Sequence, residues 1–561
     1  MSLIQNQDMG TSLPASPTSS SSSSLFAAVD MGTNSFKLLI VNADRSGKFL
    51  TLSHLKESIL LGLSSTPTTP FALQTLQGFQ AILSSHHVIR SHTRCVATAA
   101  TREAANRNEF VRCVKEKTGL EVEVLSGEEE ARLVYLGVLQ FLPVFGKSVL
   151  VIDIGGGSTE FVVGKGGKVS FGASLKLGHV SLTEKFVKHG LVGQMREYVR
   201  LVIRESGVVE KIKECGFEMV VGCSGTVRAI EKAVFCGYAK SDVFGNDNVV
   251  LFGECKRDWT WGFTRGELRG LVERICEGGE EEKVRREGMF KSRSEFIVAG
   301  AVLLEEIFEV IGIAEMEVSG YALGEGVIAE SLAKVYGGYD LNANGRWRSV
   351  VWLTTRFNSK KRMRAAAQCA GIAKEIFEGL RKYEEVAASL DEKEFEYLEA
   401  ACLLHNIGLF TGKKGYHKQT YRIIMDGGHL HGYSTEEVKL IALLTRHHRK
   451  KFPKSDHASL KEFSKEEKQK FRSLCAIVRV SVALQQHQCV NIQKMAFSHS
   501  HGGFKLESSV LNDQNLLPTT IQPLIGDSFP EVRQELENFK KVFQQELSVV
   551  VHSSTSESSQ P

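Results

Sequence analysis

Val149-Leu150-Val151-Ile152-Asp153-Ile154-Gly155-Gly156-Gly157-Ser158-Thr159-Glu160-Phe161-Val162-Val163 reads as a strand, a tight turn and a second strand: two apolar runs bracket a stretch of small and glycine residues. The same pattern stands near the start of the chain. Leu25 to Val29 lead into Asp30-Met31-Gly32-Thr33-Asn34-Ser35, and Phe36 to Val41 lead out. The two segments align position for position. Asp30 matches Asp153, Gly32 matches Gly155, Asn34 matches Gly157, Ser35 matches Ser158 and Lys37 matches Glu160, each pair 123 positions apart. Either hairpin alone could be an ordinary turn whose Gly and Asn relieve backbone crowding. Two in register point to duplicated lobes.

Such turns present successive backbone N–H groups to an anion, since small residues let the chain approach a phosphate closely. On this reading Thr33, Asn34 and Ser35 on one side and Gly155, Gly156, Gly157 and Ser158 on the other cradle phosphate oxygens. A carboxylate at the end of the first strand of each turn suits Mg²⁺, which takes one or two carboxylates and completes its shell with water and substrate oxygens. That makes Asp30 and Asp153 candidate metal ligands. A third glycine turn, Cys223-Ser224-Gly225-Thr226, precedes a helix-like stretch from Val227 to Ala233 and adds Gly225 and Thr226 to the phosphate candidates. A fourth, Val318 to Gly326, precedes Val327 to Val335.

The remainder of the chain sets bounds. At 561 residues it has the length of three to four domains at about 150 residues each. Hydrophobic residues make up 42% and charged residues 24%, an ordinary globular balance, and no apolar run nears the roughly 18 residues a membrane helix needs. The formal net charge of +4 is too small for general attraction to nucleic acid or an anionic membrane. The 11 cysteines are scattered without a CxxC pair, as expected in a reducing compartment. Residues 1–24, with Pro14, Pro17 and the run Ser19 to Ser24, read as a disordered leader, and 552–561 as a polar tail. The expected compartment is the cytoplasm. A plastid or mitochondrial address in the leader is the alternative, weakened by the lack of any Lys or Arg before Lys37.

The ordered series Ala27 to Ser35, Ala97-Thr98-Ala99-Ala100-Thr101-Arg102, Ser126-Gly127-Glu128-Glu129-Glu130-Ala131-Arg132, Ile152 to Glu160 and Ser224-Gly225-Thr226 resembles the Ppx/GppA phosphatases, the exopolyphosphatases and guanosine pentaphosphate phosphohydrolases. The resemblance implies an α/β fold: a duplicated actin-like, ribonuclease H-like pair of lobes (25–149 and 150–340), then an α-helical HD-like domain (345–490) and a small α+β cap (491–551). It also implies a Mg²⁺-dependent hydrolase of phosphoanhydride bonds acting on inorganic polyphosphate. Guanosine pentaphosphate as substrate, or a polyphosphate- or nucleotide-sensing regulator without turnover, are the alternatives. The expected partners are therefore polyphosphate or guanosine pentaphosphate, with a homodimer allowed and neither membrane nor nucleic acid.

Within that resemblance Glu130 takes the catalytic position, Arg102 the arginine that clamps phosphate, and Asp153 and Glu160 organise metal and attacking water. Glu130 can also be read directly. Ser126 and Glu129 have the spacing of a capping box, so a helix starts there, and Glu130 heads its apolar stripe with Leu133, Val134, Gly137 and Val138. A carboxylate facing a cleft from that stripe is desolvated and made more basic. In the fourth turn Gly324 stands where relatives commonly carry Arg.

From Arg346 to Gln488 periodic apolar residues indicate a helical bundle. His405-Asn406 replaces the His-Asp pair of an active HD site, leaving too few ligands, so His405 is expected in the core. Arg446, Arg449, Lys450 and Lys451 form a local basic run, expected as a track for a long polyanion.

Overall fold

The computed structural model describes residues 24–59, 61, 70–237, 262–277, 286–337, 344–383, 390–454, 457–487, 495–500, 502–510 and 529–553. The expected leader, Ser24 apart, lies outside the described residues. So does the expected tail after Ser553, because the last strand continues to that residue.

The first lobe holds β1 (Ser24–Met31), β2 (Ser35–Ala43), β3 (Phe49–Ser58), α1 (Pro70–Ser85), β4 (Thr93–Ala97), α2 (Arg107–Thr118) and β5 (Val122–Val124). α3 (Gly127–Leu139) links it to the second lobe. That lobe contains β6 (Val149–Ile154), β7 (Thr159–Lys165), β8 (Lys168–Leu175), α4 (Val192–Glu205), β9 (Met219–Cys223), α5 (Ser224–Phe235), β10 (Gly262–Thr264), α6 (Ile297–Ile311), β11 (Glu315–Val318) and α7 (Leu323–Val335). The sheets run β3-β2-β1-β4-β5 and β10-β11-β9-β6-β7-β8. Read from the other edge, the second repeats the first and adds β10. In each, a hairpin-linked antiparallel trio continues into parallel strands. Central strands β1 and β6 are apolar on both faces because helices cover both sides of a partly parallel sheet.

The linking helices are exchanged. α3, which follows the first lobe in sequence, packs on β6, β7 and β8 of the second; α7, from the end of the second lobe, packs on β1, β2 and β4 of the first. They cross with backbones in contact: a Cβ at Gly137 would run into the Ala322 carbonyl, and one at Gly326 into that of Leu133. Only glycine permits this approach. Arg132 of α3 bonds Glu330 of α7, which also takes Arg94 of β4. A division at residue 149 thus follows the order of the sheets, while packing assigns each crossing helix to the opposite lobe.

The helical domain comprises α8 (Gly345–Phe357), α9 (Lys360–Arg381), α10 (Glu392–Leu404), α11 (Tyr416–Asp426), α12 (Thr435–His447) and α13 (Lys465–Gln486). Its core is continuous with that of the lobes, Trp347, Val350 and Leu353 belonging to one cluster with Phe26, Ala28 and Leu39. The cap is β12 (Met495–Ser500), β13 (Gly503–Val510), α14 (Pro530–Phe543) and β14 (Leu547–Ser553), with β13 and β14 parallel.

Candidate active site

Both hairpin turns close in the same way. Gly32 N–H donates to the Ser35 carbonyl at 3.2 Å and Gly155 N–H to the Ser158 carbonyl at 2.9 Å. The strand registers agree, with Asp30 opposite Lys37 and Asp153 opposite Glu160. The turns face each other closely: a Cβ on Gly156 would lie 3.1 Å from Thr33 Cβ and 3.3 Å from Asn34 Cβ, and one on Gly157 2.9 Å from Thr33 Oγ1. Larger residues on the second turn would push the lobes apart. Between and beyond the turns opens a cleft of about 710 Å³ at the carboxyl ends of β1, β6 and β9, where open α/β sheets place their ligands.

α3 brings Glu130 to this cleft. Ser126 Oγ accepts from the Glu129 N–H at 3.1 Å, and three glutamates in the first turn favour the positive end of the helix. The capping box expected from the sequence is only half formed, because the Glu129 carboxylate reaches forward to Arg132 at 2.6 and 2.8 Å instead of back to Ser126. An arginine at i+3 outcompetes a single backbone N–H for that charge.

Glu130 is buried beside its apolar stripe. Burial pushes its carboxyl up to about 7; the Arg102 guanidinium opposes this, and Asp153 and Asp30 add to it. Arg102 Nη1 donates to Glu130 Oε2 at 2.9 Å and to the Leu125 carbonyl at 3.0 Å. Here, then, Arg102 orients the candidate base, whereas the sequence reading has it clamping phosphate bidentately.

The lobe II carboxyls lie deeper. Glu160 is raised well above the usual range by burial, then by Glu130 and Asp153. Its Oε1 accepts from Ser158 Oγ at 2.6 Å and Ser174 Oγ at 2.8 Å. The Ser158 hydroxyl expected on phosphate is therefore engaged with Glu160. Asp153 is raised by burial, against the pull of Lys37. On the other hairpin Lys37 Nζ sits 2.6 Å from Asp30 Oδ2. Burial acts to lower the Lys37 ammonium, but Asp30, Asp153 and Glu325 outweigh it and hold its pKa above the usual value.

The third turn starts its helix earlier than the sequence suggests, at Ser224, which adopts φ 75°. A left-handed non-glycine residue is costly and concentrates at functional sites. Ser224 Oγ bonds the Ile154 carbonyl at 3.0 Å, tying β9 to the second turn. A Cβ on Gly225 would strike the guanidinium of Arg293, which lies over this helix N-terminus. The Arg293 guanidinium is lowered by burial and by Arg228. Both arginines line the cleft with Thr226, Lys56, Lys232, Lys291 and Arg356.

Sequence reasoning missed these cations. Arg228 follows Thr226 by two positions and was legible as a cleft residue from the turn itself; Arg293 has no local signal and is placed by tertiary contact alone. Arg356, from α8, pairs with Glu231 and the Val318 carbonyl, so the helical domain reaches the cleft. In the fourth turn, Gly324 lines the cleft, and Glu325 caps the helix, accepting from the Ala322 N–H at 3.0 Å.

In the helical domain His405 is buried, its Nδ1 against the Cys402 carbonyl at 2.7 Å, and burial pulls it down to about 4. Asn406 Oδ1 accepts from Asn358 at 2.7 Å. Both are integrated into the core.

Two facing hairpin turns, with a buried carboxylate on the crossing helix, stand between the lobes of a two-lobed fold of the actin-like class. The model of the Ppx/GppA phosphatase family matches residues 71–335 and that of Ppx/GppA phosphatase domain III matches 346–522; this chain belongs to that family, whose members are generally hydrolases of phosphoanhydride bonds. Among solved structures it is similar to an exopolyphosphatase from Cytophaga hutchinsonii, at 24% identity over 57% of this chain and 100% of the other, with a TM-score of 0.46. It is also similar to the Ppx/GppA family member from Aquifex aeolicus, at 27% identity over 56% and 99%, with a TM-score of 0.45. Among the described residues no helix is long and apolar enough to cross a membrane.

Proposed function

We propose that this chain is a Mg²⁺-dependent exopolyphosphatase that removes terminal orthophosphate from inorganic polyphosphate. The observation that carries the reading is Glu130, a buried carboxyl pushed up to about 7 and oriented by Arg102 in the cleft between two phosphate-type turns. A group with that basicity is half ionised near neutrality, the range in which a general base works best. Water held at Glu130 gives up a proton to the carboxylate as its oxygen bonds to the terminal phosphorus. The bridging P–O bond breaks, and the shortened chain leaves with the bond's electrons. The turn N–H groups, Lys37, Arg228 and Arg293 hold the phosphate oxygens, because phosphoryl transfer depends mainly on positioning and charge neutralisation.

The donors fit Mg²⁺. Asp30, Glu130, Asp153 and Glu160 are hard oxygen donors, and several raise one another's pKa by mutual repulsion, a strain that a divalent cation relieves. Among the described residues no three His, Cys, Asp or Glu side chains converge as a preformed cage. An ion here is held by Asp153 with Asp30 or Glu160 and otherwise by water and phosphate. When bound it neutralises phosphate charge and lowers the pKa of nearby water.

A polymer is favoured over a nucleotide because cations continue from the turns along α5, at Arg228 and Lys232, as repeated phosphates require. Phosphate release assayed in parallel on long polyphosphate, tripolyphosphate and guanosine pentaphosphate tests this, with Glu130→Gln as control. Preference for guanosine pentaphosphate would overturn the substrate, and no release from any of the three would favour a sensing regulator.

A further inference from the structure

His179 lines the cleft, and the mechanism above makes no use of it. It follows a position that only glycine can fill, because a Cβ on Gly178 would run into the Gly156 carbonyl. That close approach lays the next residues along the second turn: the His179 N–H donates to the Gly155 carbonyl at 3.1 Å and the Val180 N–H to that of Gly156 at 3.0 Å. On its other side the histidine meets the start of α5. A Cβ on Gly300 of α6 would strike the Thr226 side chain and lie 3.6 Å from the His179 Cβ, so both residues share one wall. The ring packs on Phe296, with 5.5 Å between centroids. His179 therefore stands between the cradle of the second turn and Arg293, whose guanidinium lies over Gly225.

Two observations turn this ring towards a ligand. His179 is only 5% exposed, and its Nδ1 is buried with no hydrogen-bond partner. A nitrogen with no acceptor in reach gains nothing by carrying the proton, so the proton belongs on Nε2, the nitrogen left to meet the cleft. Burial, then Arg293 and Lys56, pull the ring down to about 3, which keeps it neutral around physiological pH. The surroundings are also short of negative charge. Among the described residues no carboxylate forms an ion pair with Arg293, and the charge its guanidinium feels is that of Arg228. An anion seated beside the ring would balance both arginines and give Nε2–H an acceptor.

We propose that His179 is the leaving-group contact of this enzyme: its Nε2–H donates to an oxygen of the second phosphate, the one that departs with the shortened chain, while Arg293 pairs that phosphate from the α5 side. As the bridging P–O bond breaks, its electron pair passes to the departing phosphate, and the hydrogen bond strengthens with the charge that develops there. The proton stays on the ring, since a neutral imidazole serves as a donor without giving its proton up. The role is separate from that of the turn N–H groups and Lys37, which hold the phosphoryl group being transferred. It selects condensed phosphates, because an isolated phosphate held at the turns offers the ring no second group. That the departing group is a phosphate rests on the exopolyphosphatase reading; that Nε2 meets the ligand does not.

Steady-state hydrolysis of tripolyphosphate by full-length His179→Phe, His179→Gln and His179→Asn tests the contact. Phe keeps the packing on Phe296 and removes the donor: kcat should fall about 10–100-fold, the range of a hydrogen bond to a charged group, with KM changed less than about threefold and the melting temperature retained. Gln can set its amide N–H where Nε2 stands and should recover most of the loss, whereas Asn sets its amide at the Nδ1 position and should not. Wild-type kcat in the Phe variant, or recovery that does not favour Gln over Asn, would overturn the proposal. So would losses in all three variants that track a lowered melting temperature, which would make the ring structural. Ring-nitrogen resonances of histidine-labelled Glu130→Gln protein, with His179 identified by its loss in the variants, read the contact without turnover. Tripolyphosphate should shift the His179 Nε2 signal, and orthophosphate alone should shift it less; no shift with tripolyphosphate, or an equal shift with both, would overturn the leaving-group assignment. If the wild type hydrolysed none of the condensed phosphates while that shift stood, the exopolyphosphatase reading would fall and the Nε2 contact would remain.

Discussion

The hairpin of the first lobe and that of the second share strand register, turn hydrogen bond and an aspartate at the same place, yet Lys37 opposes Asp30 where Glu160 opposes Asp153. One substitution between the repeats divides the labour. Asp30 carries its own counter-charge at 2.6 Å, so the first turn presents a neutralised ion pair. The second turn holds two buried carboxyls, both raised by desolvation and by like charges, the kind of site where, on the proposed function, a divalent cation would be held. The two hairpins share a frame, and one residue makes them electrostatically unlike.

The comparison can be broken at several points. The largest effect is expected from Glu130→Gln, which keeps the shape but removes the proposed base between the two turns: turnover should fall about 10²–10⁴-fold with substrate binding retained, as read by kcat and by titration. Next, Asp153→Asn should weaken the Mg²⁺ response and activity together, whereas Asp30→Asn should leave the Mg²⁺ requirement nearer normal and mainly raise KM; metal titrations of phosphate release decide, and equal effects would dissolve the asymmetry. In the same titrations His405→Ala should lower thermal stability and leave the metal response intact, since the histidine is core. The smallest effect is expected at Glu129→Gln, next to the base but turned to Arg132: about 0.5 kcal/mol of stability or less, with turnover retained.

The duplicated turns were legible because their chemistry is local: small residues between apolar strands leave a trace within a dozen positions. Glu130 was legible for a related reason, since a glutamate at the head of an apolar helical stripe signals its own burial. The exchange of α3 and α7 was not, because it depends on Gly137 and Gly326 meeting across nearly two hundred residues of chain. Arg293 on the N-terminus of α5, Arg356 reaching in from the helical domain, and the capture of Arg102 by Glu130 share that character. Each is a long side chain whose direction is set by charges brought close only in the folded protein. Glu129 shows the converse, a correct local spacing overruled by a stronger neighbour.

The most direct test of the account is the pH dependence of kcat/KM for long polyphosphate, in the wild type and in Glu130→Gln. A base raised to about 7 by burial works only when ionised, so the wild-type value should fall as the pH drops through neutrality. The apparent ionisation belongs to the coupled Glu130 and Glu160 carboxyls, and it should move to lower pH as Mg²⁺ is raised, because the cation favours the ionised forms. The residual activity of Glu130→Gln should lack that ionisation. A wild-type profile flat across neutrality, or the same ionisation persisting in the variant, would contradict the assignment of Glu130 as the base.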